Sequence, residues 1–257
     1  MLNFRNTNIF FALLLIAMIG LHIKYGMPVY VYLLLFIVYS LIVFRGCCYI
    51  GSGFFIKTLC KADTDKKEIA ISFDDGPATG YTKEILEVLK RENVKATFFC
   101  IGKRIAGNEE ILKQVYAEEH LIGNHSYSHH FWFDMFSAKK MKADLAQMDE
   151  EVQRVIGIKP KLFRPPYGVT NPNVKKAIIN GGYTSIGWSV RSMDTVIKQE
   201  EKLLAKINRA IVPGAVFLFH DTSKTTLDVL PAFIQEVKKR GYRVSPLDKL
   251  LDLRPYE

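Results

Sequence analysis

Ile69-Ala-Ile-Ser-Phe-Asp-Asp-Gly-Pro77 is an apolar run that ends abruptly in two adjacent carboxylates and a Gly-Pro pair. Such a run is typical of a buried parallel strand, and α/β folds place functional residues at the carboxyl ends of these strands. Neighbouring side chains of a strand point to opposite sides, so Asp74 and Asp75 are expected to perform different tasks. A strand followed by an Asp-capped turn explains the same residues, because Asp and Gly both favour turns. Partners elsewhere in the chain must decide between the two interpretations.

The chain after about residue 62 alternates between short apolar runs and amphipathic helical patterns. Strands are predicted near 69–73, 96–101, 121–124, 161–164, 183–188, 215–219 and 242–244. Helices are predicted near 80–92, 107–119, 137–156, 172–181, 198–211 and 225–240. This alternation predicts right-handed crossovers and a parallel sheet that curls towards a barrel. About seven units fall short of eight, so the predicted fold is an α/β protein with a distorted, incomplete (β/α) barrel.

The composition indicates a folded chain with a basic surface. Of 257 residues, 49% are hydrophobic, and the net charge is +9 with a pI near 9.2. A basic balance suits anionic surfaces such as phospholipid, acidic polysaccharide or nucleic acid. The absence of a basic stripe with interleaved aromatic residues argues against nucleic acid and favours a membrane or a glycan as the partner.

Two apolar runs at the start of the chain predict a hairpin of transmembrane helices. They cover residues 9–23 and 27–44, contain no charged residue, and flank the loop Lys24-Tyr-Gly26. At about 1.5 Å per residue the second run is about 27 Å long, close to the thickness of the hydrocarbon core. A cleaved signal peptide is the alternative, but no small-x-small cleavage site follows the first run.

We therefore divide the chain into two transmembrane helices in residues 1–46, a juxtamembrane linker in 47–67 and a soluble domain in 68–257. Only Lys24 lies between the two runs, whereas the basic residues outside them are Arg5, Arg45, Lys57 and Lys61. The positive-inside rule then predicts both termini on the cytoplasmic side of the cell membrane, and the side on which the soluble domain functions stays open. The four cysteines, two of them adjacent, form no secreted disulfide framework.

His125-Ser-Tyr-Ser-His129 follows the predicted strand 121–124. Histidines at i and i+4 face the same side of a helical turn, and metal sites use this spacing. With the carboxylate of Asp75 they would form a two-His, one-carboxylate site with open positions, as catalytic zinc requires. Two surface histidines are the alternative, but four of the six histidines cluster at two strand ends, which favours a metal.

Phe163-Arg-Pro-Pro-Tyr-Gly168 ends another predicted strand, and its two prolines make a rigid extended bend. The guanidinium of Arg164 is expected to pair with the Asp74 carboxylate. The peptide N–H of Tyr167 is expected to serve a developing oxyanion, and Pro166 belongs to the same predicted substrate wall. Taken alone, Pro-Pro-Tyr-Gly is usually only a turn.

Ala215-Val-Phe-Leu-Phe-His-Asp221 repeats the design of the first strand, because an apolar run again ends in titratable groups. His220 is the predicted general acid, since the pKa of histidine lies near neutrality and a neighbouring carboxylate keeps the ring protonated. Asp194 is the candidate carboxylate, in a segment that also contributes Trp188 to the predicted substrate site. A buried histidine with satisfied hydrogen bonds is the alternative.

Taken in order, these segments resemble the polysaccharide deacetylases of carbohydrate esterase family 4, which share the NodB homology domain. The shared motifs are Ser-Phe-Asp-Asp-Gly-Pro, His-Ser-Tyr-Ser-His, Arg-Pro-Pro-Tyr-Gly, Trp…Asp and Leu-Phe-His, within residues 69–244. The resemblance implies a distorted barrel and a divalent metal, commonly zinc, with cobalt or another divalent ion as alternatives. It implies that Asp74 is the catalytic base, oriented by Arg164, and that His220 is the catalytic acid, with its pKa adjusted by Asp194. It also implies that the metal ligands are Asp75, His125 and His129. The sugar site would include Tyr167 and Leu218.

The resemblance predicts hydrolytic N-deacetylation of a cell-surface N-acetylglucosamine polymer such as peptidoglycan, with release of acetate. Two positions depart from the family: His130 replaces a usual proline, and Thr195 replaces a usual tryptophan, which leaves the polymer type open. One alternative is deacetylation or deformylation of a lipid-linked aminosugar at the membrane face, and another is glycan binding by an inactive barrel. An iron oxygenase also uses a two-His, one-carboxylate triad, but Asp74, Arg164 and His220 have no role in one.

Overall fold

The computed structural model describes residues 2–257 as a curled parallel sheet surrounded by helices, preceded by two long apolar helices. The α-helices are Phe4–Tyr25 (α1), Val29–Cys48 (α2), Thr82–Arg91 (α3), Glu109–Ala117 (α4), Ala138–Ile156 (α5), Pro172–Gly181 (α6), Glu200–Arg209 (α7), Lys224–Lys239 (α8) and Leu247–Leu251 (α9). The strands are Glu68–Asp74 (β1), Thr97–Cys100 (β2), Leu121–Asn124 (β3), Leu162–Phe163 (β4), Thr184–Ser185 (β5), Val190–Arg191 (β6), Val216–His220 (β7) and Arg243–Val244 (β8).

The sheet has the strand order β5-β4-β3-β2-β1-β7-β6, and β8 pairs with the amino end of β1. Every strand pair is parallel, so all the carboxyl ends lie at one edge. The two terminal strands, β5 and β6, are consecutive in the chain but do not pair with each other. The predicted distorted, incomplete barrel is therefore confirmed, and its eight strands include one, β6, that was not predicted.

The two faces of the central strands have different surroundings. On β1, Ile69, Ile71 and Phe73 are buried with apolar residues of the outer helices. The alternate positions face the barrel interior, where Ala70 packs with Val216 of β7 and Leu247 of α9. Because side chains alternate along a strand, the interior face of β1 ends at Asp74, and the interior face of β7 ends at His220. The interior positions of these strands are thus mostly apolar within the barrel and titratable at the carboxyl ends of the strands.

A segment before β1 occupies the gap between the two unpaired strands. The Leu59 N–H donates to the Ser185 carbonyl at 2.9 Å, and the Leu59 carbonyl accepts from the Gly187 N–H at 2.8 Å. Further on, the Ala62 N–H donates to the Gly214 carbonyl at 2.9 Å. The predicted division of the chain at residues 47–67 stays a prediction, but part of this segment forms hydrogen bonds with the barrel wall.

Three details differ from the predicted elements. The predicted strand 183–188 contains only the two-residue β5, because the chain crosses the barrel gap after Ser185, and β6 beyond this gap was not predicted. Helix α9 was not predicted, since its five residues are shorter than the window in which a helical period is visible. Helix α2 continues to Cys48, past the apolar run that predicted it.

The apolar runs form helices α1 and α2, which have 22 and 20 residues. Both are long and apolar enough to cross a membrane, although a signal sequence also meets this criterion. Their side chains are mostly exposed, and the two helices contact each other through Tyr39, whose hydroxyl donates to Asn8 Oδ1 at 2.9 Å.

Candidate active site

A cleft of about 180 Å³ lies at the carboxyl edge of the sheet. A larger groove of about 370 Å³ separates α1 and α2, so the cleft is distinguished by its side chains and not by its size. Its lining residues are Asp74, Asp75, His125, His129, Pro165, Tyr167, Gly168, Trp188, Arg191, Thr195, Leu218 and His220. Parallel strands place these residues together although they are far apart in the sequence.

Asp74 and Asp75 line the same cleft, which differs from the predicted alternation. Asp74 ends β1 with its side chain in the barrel interior, but Asp75 has a φ of 80°, in the left-handed region. This backbone turn brings both carboxylates within reach of one imidazole, with His125 Nε2 at 3.8 Å from Asp74 Oδ2 and 3.7 Å from Asp75 Oδ1. The left-handed conformation raises the conformational free energy of a non-glycine residue, and such strained residues cluster at functional sites.

Asp75, His125 and His129 form a cluster of possible metal ligands, with ligand atoms all within 4.8 Å of one another. Asp75 Oδ1 lies 3.7 Å from His125 Nε2 and 3.5 Å from His129 Nε2. Ligands about 2.1 Å from a tetrahedral zinc ion are about 3.4 Å apart, so the three residues fit such an ion with little movement.

The surroundings of the two histidines are also compatible with metal binding. His125 Nδ1 is 2.8 Å from the Arg164 carbonyl, and donation from this nitrogen leaves Nε2 with its lone pair. Burial, with the charge of His125 as a further cause, lowers the pKa of His129 to about 4. The hydrogen bond orients His125, and the lowered pKa favours a neutral His129, so the donor set fits a divalent cation such as zinc.

The two histidines do not share a helical turn, so the structural reason given for their spacing was wrong. Residues 125–129 form an irregular loop in which Ser126 and His129 have φ angles of 68° and 43°. Side chains stabilise this loop: Ser126 Oγ accepts from the His129 N–H at 3.0 Å, and Asp144 Oδ1 accepts from the Tyr127 N–H at 2.8 Å. The loop, not a helix, brings the imidazoles together, with ring centroids 4.9 Å apart.

Arg164 holds Asp74 from below the cleft. Its guanidinium is fully buried and donates to Asp74 Oδ1 at 2.7 Å and to Ser72 Oγ at 2.9 Å. A third bond runs to the Gly187 carbonyl at 2.8 Å, and the Phe99 ring lies 4.0 Å from the guanidinium carbon. These contacts fix the Asp74 side chain, and Oδ2 is left facing His125 and the cleft.

Asp194 holds His220 in the same way on the other wall. His220 Nδ1 lies 2.8 Å from Asp194 Oδ1, and the His220 N–H donates to Oδ2 at 2.7 Å. Ser192 and Thr226 also donate to this buried carboxylate. Burial alone lowers the pKa of His220, but the hydrogen bond and the charge of Asp194 outweigh it, so the pKa is raised overall. The imidazole therefore keeps its proton to a higher pH than an isolated histidine does.

Three of the four predicted substrate residues line the cleft, and the fourth, Pro166, does not. Tyr167 has a φ of 59°, and among the described residues no acceptor bonds to its N–H. Its side chain is 47% exposed, and Trp188 and Leu218 also line the cleft. Pro166 is buried, and its neighbour Pro165 lines the cleft instead.

Several contributors were not predicted from the sequence. Ser72 supports Arg164 from within the Ser-Phe-Asp-Asp-Gly-Pro motif, and Thr226 supports Asp194 from α8, which carries no motif. Arg191 lines the cleft from β6, and its exposed guanidinium forms no ion pair within the described part of the chain. The segment Gly187–Asp194 contains Arg191, so its position in a motif was the available signal.

The fold and the paired acid and base groups place the protein in the class of (β/α)-barrel hydrolases. The chain belongs to the polysaccharide deacetylase family, whose model, described as polysaccharide deacetylase, matches residues 61–186. It is 33% identical to the peptidoglycan-N-acetylmuramic acid deacetylase PdaA of Bacillus subtilis, over 74% of this chain and 73% of the relative. It is 32% identical to a peptidoglycan-N-acetylglucosamine deacetylase of Bacillus cereus, over 72% of this chain and 69% of the relative.

Solved structures agree with this membership. The Bc1960 peptidoglycan N-acetylglucosamine deacetylase is similar with a TM-score of 0.74 and 29% identity, over 78% of this chain and 95% of that chain. BA3943 of Bacillus anthracis, described as a CE4 family pseudoenzyme, is similar with a TM-score of 0.70 and 28% identity, over 75% of this chain and 68% of that chain. Family membership alone therefore does not establish catalysis, which depends on the side chains present in the cleft.

Proposed function

We propose that this chain is a metal-dependent hydrolase that removes the N-acetyl group from aminosugars of a cell-surface polysaccharide, with peptidoglycan as the polymer. One observation carries the proposal: the cluster of Asp75, His125 and His129 shares a cleft with Asp74 and His220. Nucleophile activation, carbonyl polarisation and leaving-group protonation need these three kinds of group within reach of one bond.

Asp74 has the role of general base. Its Oδ1 is bonded to Arg164, so Oδ2 accepts the proton of the attacking water. Asp75, His125 and His129 would hold a divalent cation, which when bound would supply a Lewis acid for the acetamide carbonyl. The N–H of Tyr167 donates to the oxyanion that develops on this carbonyl, which is consistent with the absence of a competing acceptor among the described residues.

His220 has the role of general acid. It protonates the departing sugar nitrogen, and the amine and acetate are then the products. Asp194 is a positioning residue, since it orients the imidazole through Nδ1 and favours the protonated form. The base Asp74 is thus supported by Arg164, and the acid His220 is supported by Asp194.

Peptidoglycan is the proposed polymer because the relatives named above are described as acting on it. The exposed Tyr167 at the cleft suits contact with a polymer chain, and the exposed guanidinium of Arg191, unpaired among the described residues, suits an anionic one. We also propose that α1 and α2 span the cell membrane and anchor the barrel beside it.

A lipid-linked aminosugar is the second candidate, because the hairpin joins the barrel near the cleft. The Thr170 N–H, three residues after Tyr167, donates to the Cys47 carbonyl at the end of α2 at 3.0 Å. A substrate attached to the bilayer would thus reach the cleft from the side of the hairpin.

Acetate release tests the proposal. The full chain, purified in a mild detergent, is treated with a chelator and then supplied with zinc or cobalt, and acetate released from peptidoglycan and from N-acetylglucosamine oligomers is measured. We expect activity to disappear with chelation and to return with the metal. Full activity in metal-free protein would overturn the metal role, and glycan binding without acetate release would make this chain an inactive binding protein.

A further inference from the structure

A second groove, of about 600 Å³, lies where α1 begins and against α6 of the barrel. Its volume is in the range that small ligands occupy, and it does not share a lining residue with the cleft. The lining residues are Asn3, Phe4, Arg5, Gly53, Phe54, Phe55, Pro172, Lys175, Lys176, Ile179 and Asn180. We call it the α1–α6 groove.

The α1–α6 groove is lined by cations and apolar rings. Arg5, Lys175 and Lys176 are exposed and form no ion pair with a carboxylate in the described residues. No Asp or Glu within residues 2–257 lines the groove. Phe54 and Phe55 are buried beneath it, while Ile179 is 60% exposed on α6. This surface is complementary to a ligand that has both a negative charge and an apolar part.

The groove lies at the level where a bilayer would end. Arg5 is in the first turn of α1 and Arg45 in the last turn of α2, so both mark the end of the hairpin that meets the barrel. The hairpin is fixed there, since the Phe4 N–H donates to the Phe54 carbonyl at 2.9 Å. Gly46 permits close packing, because a Cβ at this position would lie 2.3 Å from the Phe54 ring. The groove is therefore a built feature at the membrane end of the molecule.

We propose that the α1–α6 groove binds the headgroup of an anionic glycerophospholipid, an inference that rests on the proposed insertion of α1 and α2 into the membrane. Arg5, Lys175 and Lys176 neutralise the phosphate, and Ile179 contacts the upper acyl chains. Helix α6 begins at Pro172, five residues after Tyr167 of the cleft. Headgroup binding thus fixes the α6 side of the barrel against the bilayer and keeps the mouth of the cleft close to membrane-attached glycan.

The test compares lipid binding by the full chain in an uncharged detergent. Short-chain phosphatidylglycerol and phosphatidylcholine are titrated separately, and bound lipid is counted by native mass spectrometry. Lys175→Glu with Lys176→Glu is expected to weaken phosphatidylglycerol binding by about thirtyfold or more, because each cation near an anionic surface contributes to the affinity. Phosphatidylcholine is expected to bind weakly to every variant.

Two control variants separate charge from fold. Lys83→Glu with Lys90→Glu makes the same change in net charge on exposed positions of α3, and Lys175→Arg with Lys176→Arg keeps the charge on α6. Both are expected to bind phosphatidylglycerol like the unaltered chain. Equal losses in the α3 and α6 charge-reversal variants, or equal binding of the two lipids, would overturn the proposal. Saturation of the groove by inorganic phosphate with no gain from the acyl chains would also overturn it.

This result is independent of catalysis. Lys175 and Lys176 do not line the cleft, so release of acetate from a soluble oligomer is expected to be unchanged in the α6 variant. If the chain proves inactive, the lipid titration still decides the present inference, and if lipid binding fails, the deacetylase proposal stands.

Discussion

Asp74 and Asp75 are neighbours in the chain with different partners in the cleft. Asp74 is 4% exposed and bonded to a fully buried guanidinium, whereas Asp75 is directed by its left-handed backbone to the two imidazoles. One carboxylate is thus supported as a base, and the other is available as a ligand. Substitution by asparagine separates the two roles, because asparagine keeps the shape but cannot accept the proton of water.

Asp74→Asn is expected to lower kcat by about 10²–10⁴-fold while zinc remains bound. Zinc content is measured alongside acetate release. Asp75→Asn is the matched variant, and it is expected to lose zinc. Since Asp74→Asn leaves Arg164 buried without its ion pair, the melting temperature is measured to confirm that the barrel folds. An Asp74→Asn variant that loses zinc beside an Asp75→Asn variant that retains it would show that we have exchanged the two aspartates.

Asp194→Asn is expected to move the alkaline limb of the pH profile of kcat/KM to lower pH. Asp194 raises the pKa of His220, so its removal lowers this pKa, and the acid form of His220 is then lost earlier as the pH rises. Thr226→Val is the control, because it removes one hydrogen bond of Asp194 but keeps the charge. An unchanged or raised alkaline limb in Asp194→Asn would disprove the pairing.

At the scale of elements, the barrel depends on a segment that is not one of its strands. Leu59 forms hydrogen bonds with Ser185 of β5 and with Gly187. Ala62 forms one with Gly214 just before β7, so the segment lies in the gap of the sheet between β5 and the start of β7. Without this segment, unpaired backbone N–H and C=O groups would face the gap, and each one that is buried without a partner would lower the free energy of unfolding. The segment therefore functions as a structural part of the barrel wall.

Leu59→Pro is expected to destabilise the full chain by about 3 kcal/mol, because proline cannot donate the bond to Ser185 and constrains the backbone. The expected fall in melting temperature is about 6 °C or more. Asp65→Pro is the control, since the Asp65 N–H forms no hydrogen bond within the described residues. Equal melting temperatures for the two variants would show that the segment does not support the barrel.

At the scale of the whole molecule, the proposed membrane insertion of α1 and α2 would determine which glycan the cleft can reach. Both ends of the hairpin lie on the side of the barrel, so in this arrangement the barrel and the start of α1 would share one side of the membrane. The basic residues at this end favour the cytoplasm under the positive-inside rule, whereas a wall polymer is accessible only from outside. The side of the barrel thus distinguishes the two proposed substrates.

A topology reporter fused after Glu257 is expected to be active outside the cell if peptidoglycan is the substrate. Alkaline phosphatase and a fluorescent protein that folds only in the cytoplasm provide opposite signals. A reporter inserted at Gly26, between α1 and α2, is the internal control and is expected to give the reverse result. A cytoplasmic signal at Glu257 would exclude the wall polymer and favour the lipid-linked aminosugar.

The sequence by itself determined the elements whose signal is local. The apolar run of β1, the long amphipathic helices and the two apolar helices each have a period or a length that reports their burial. The chemical groups of the cleft were also predictable, because a parallel sheet places residues that follow strands at one edge. This reasoning, together with the order of the motifs, identified Asp74, Asp75, His125, His129 and His220.

Only the tertiary structure decided the features that depend on contacts between distant residues. The left-handed backbone of Asp75, the loop between His125 and His129, and the pairing of Leu59 with Ser185 leave no periodic pattern in the sequence. The two-residue strand β6 is too short for alternation to be visible. The conformations of these segments are stabilised by partners about 20 to 130 residues away, and such partners are known only once the chain has folded.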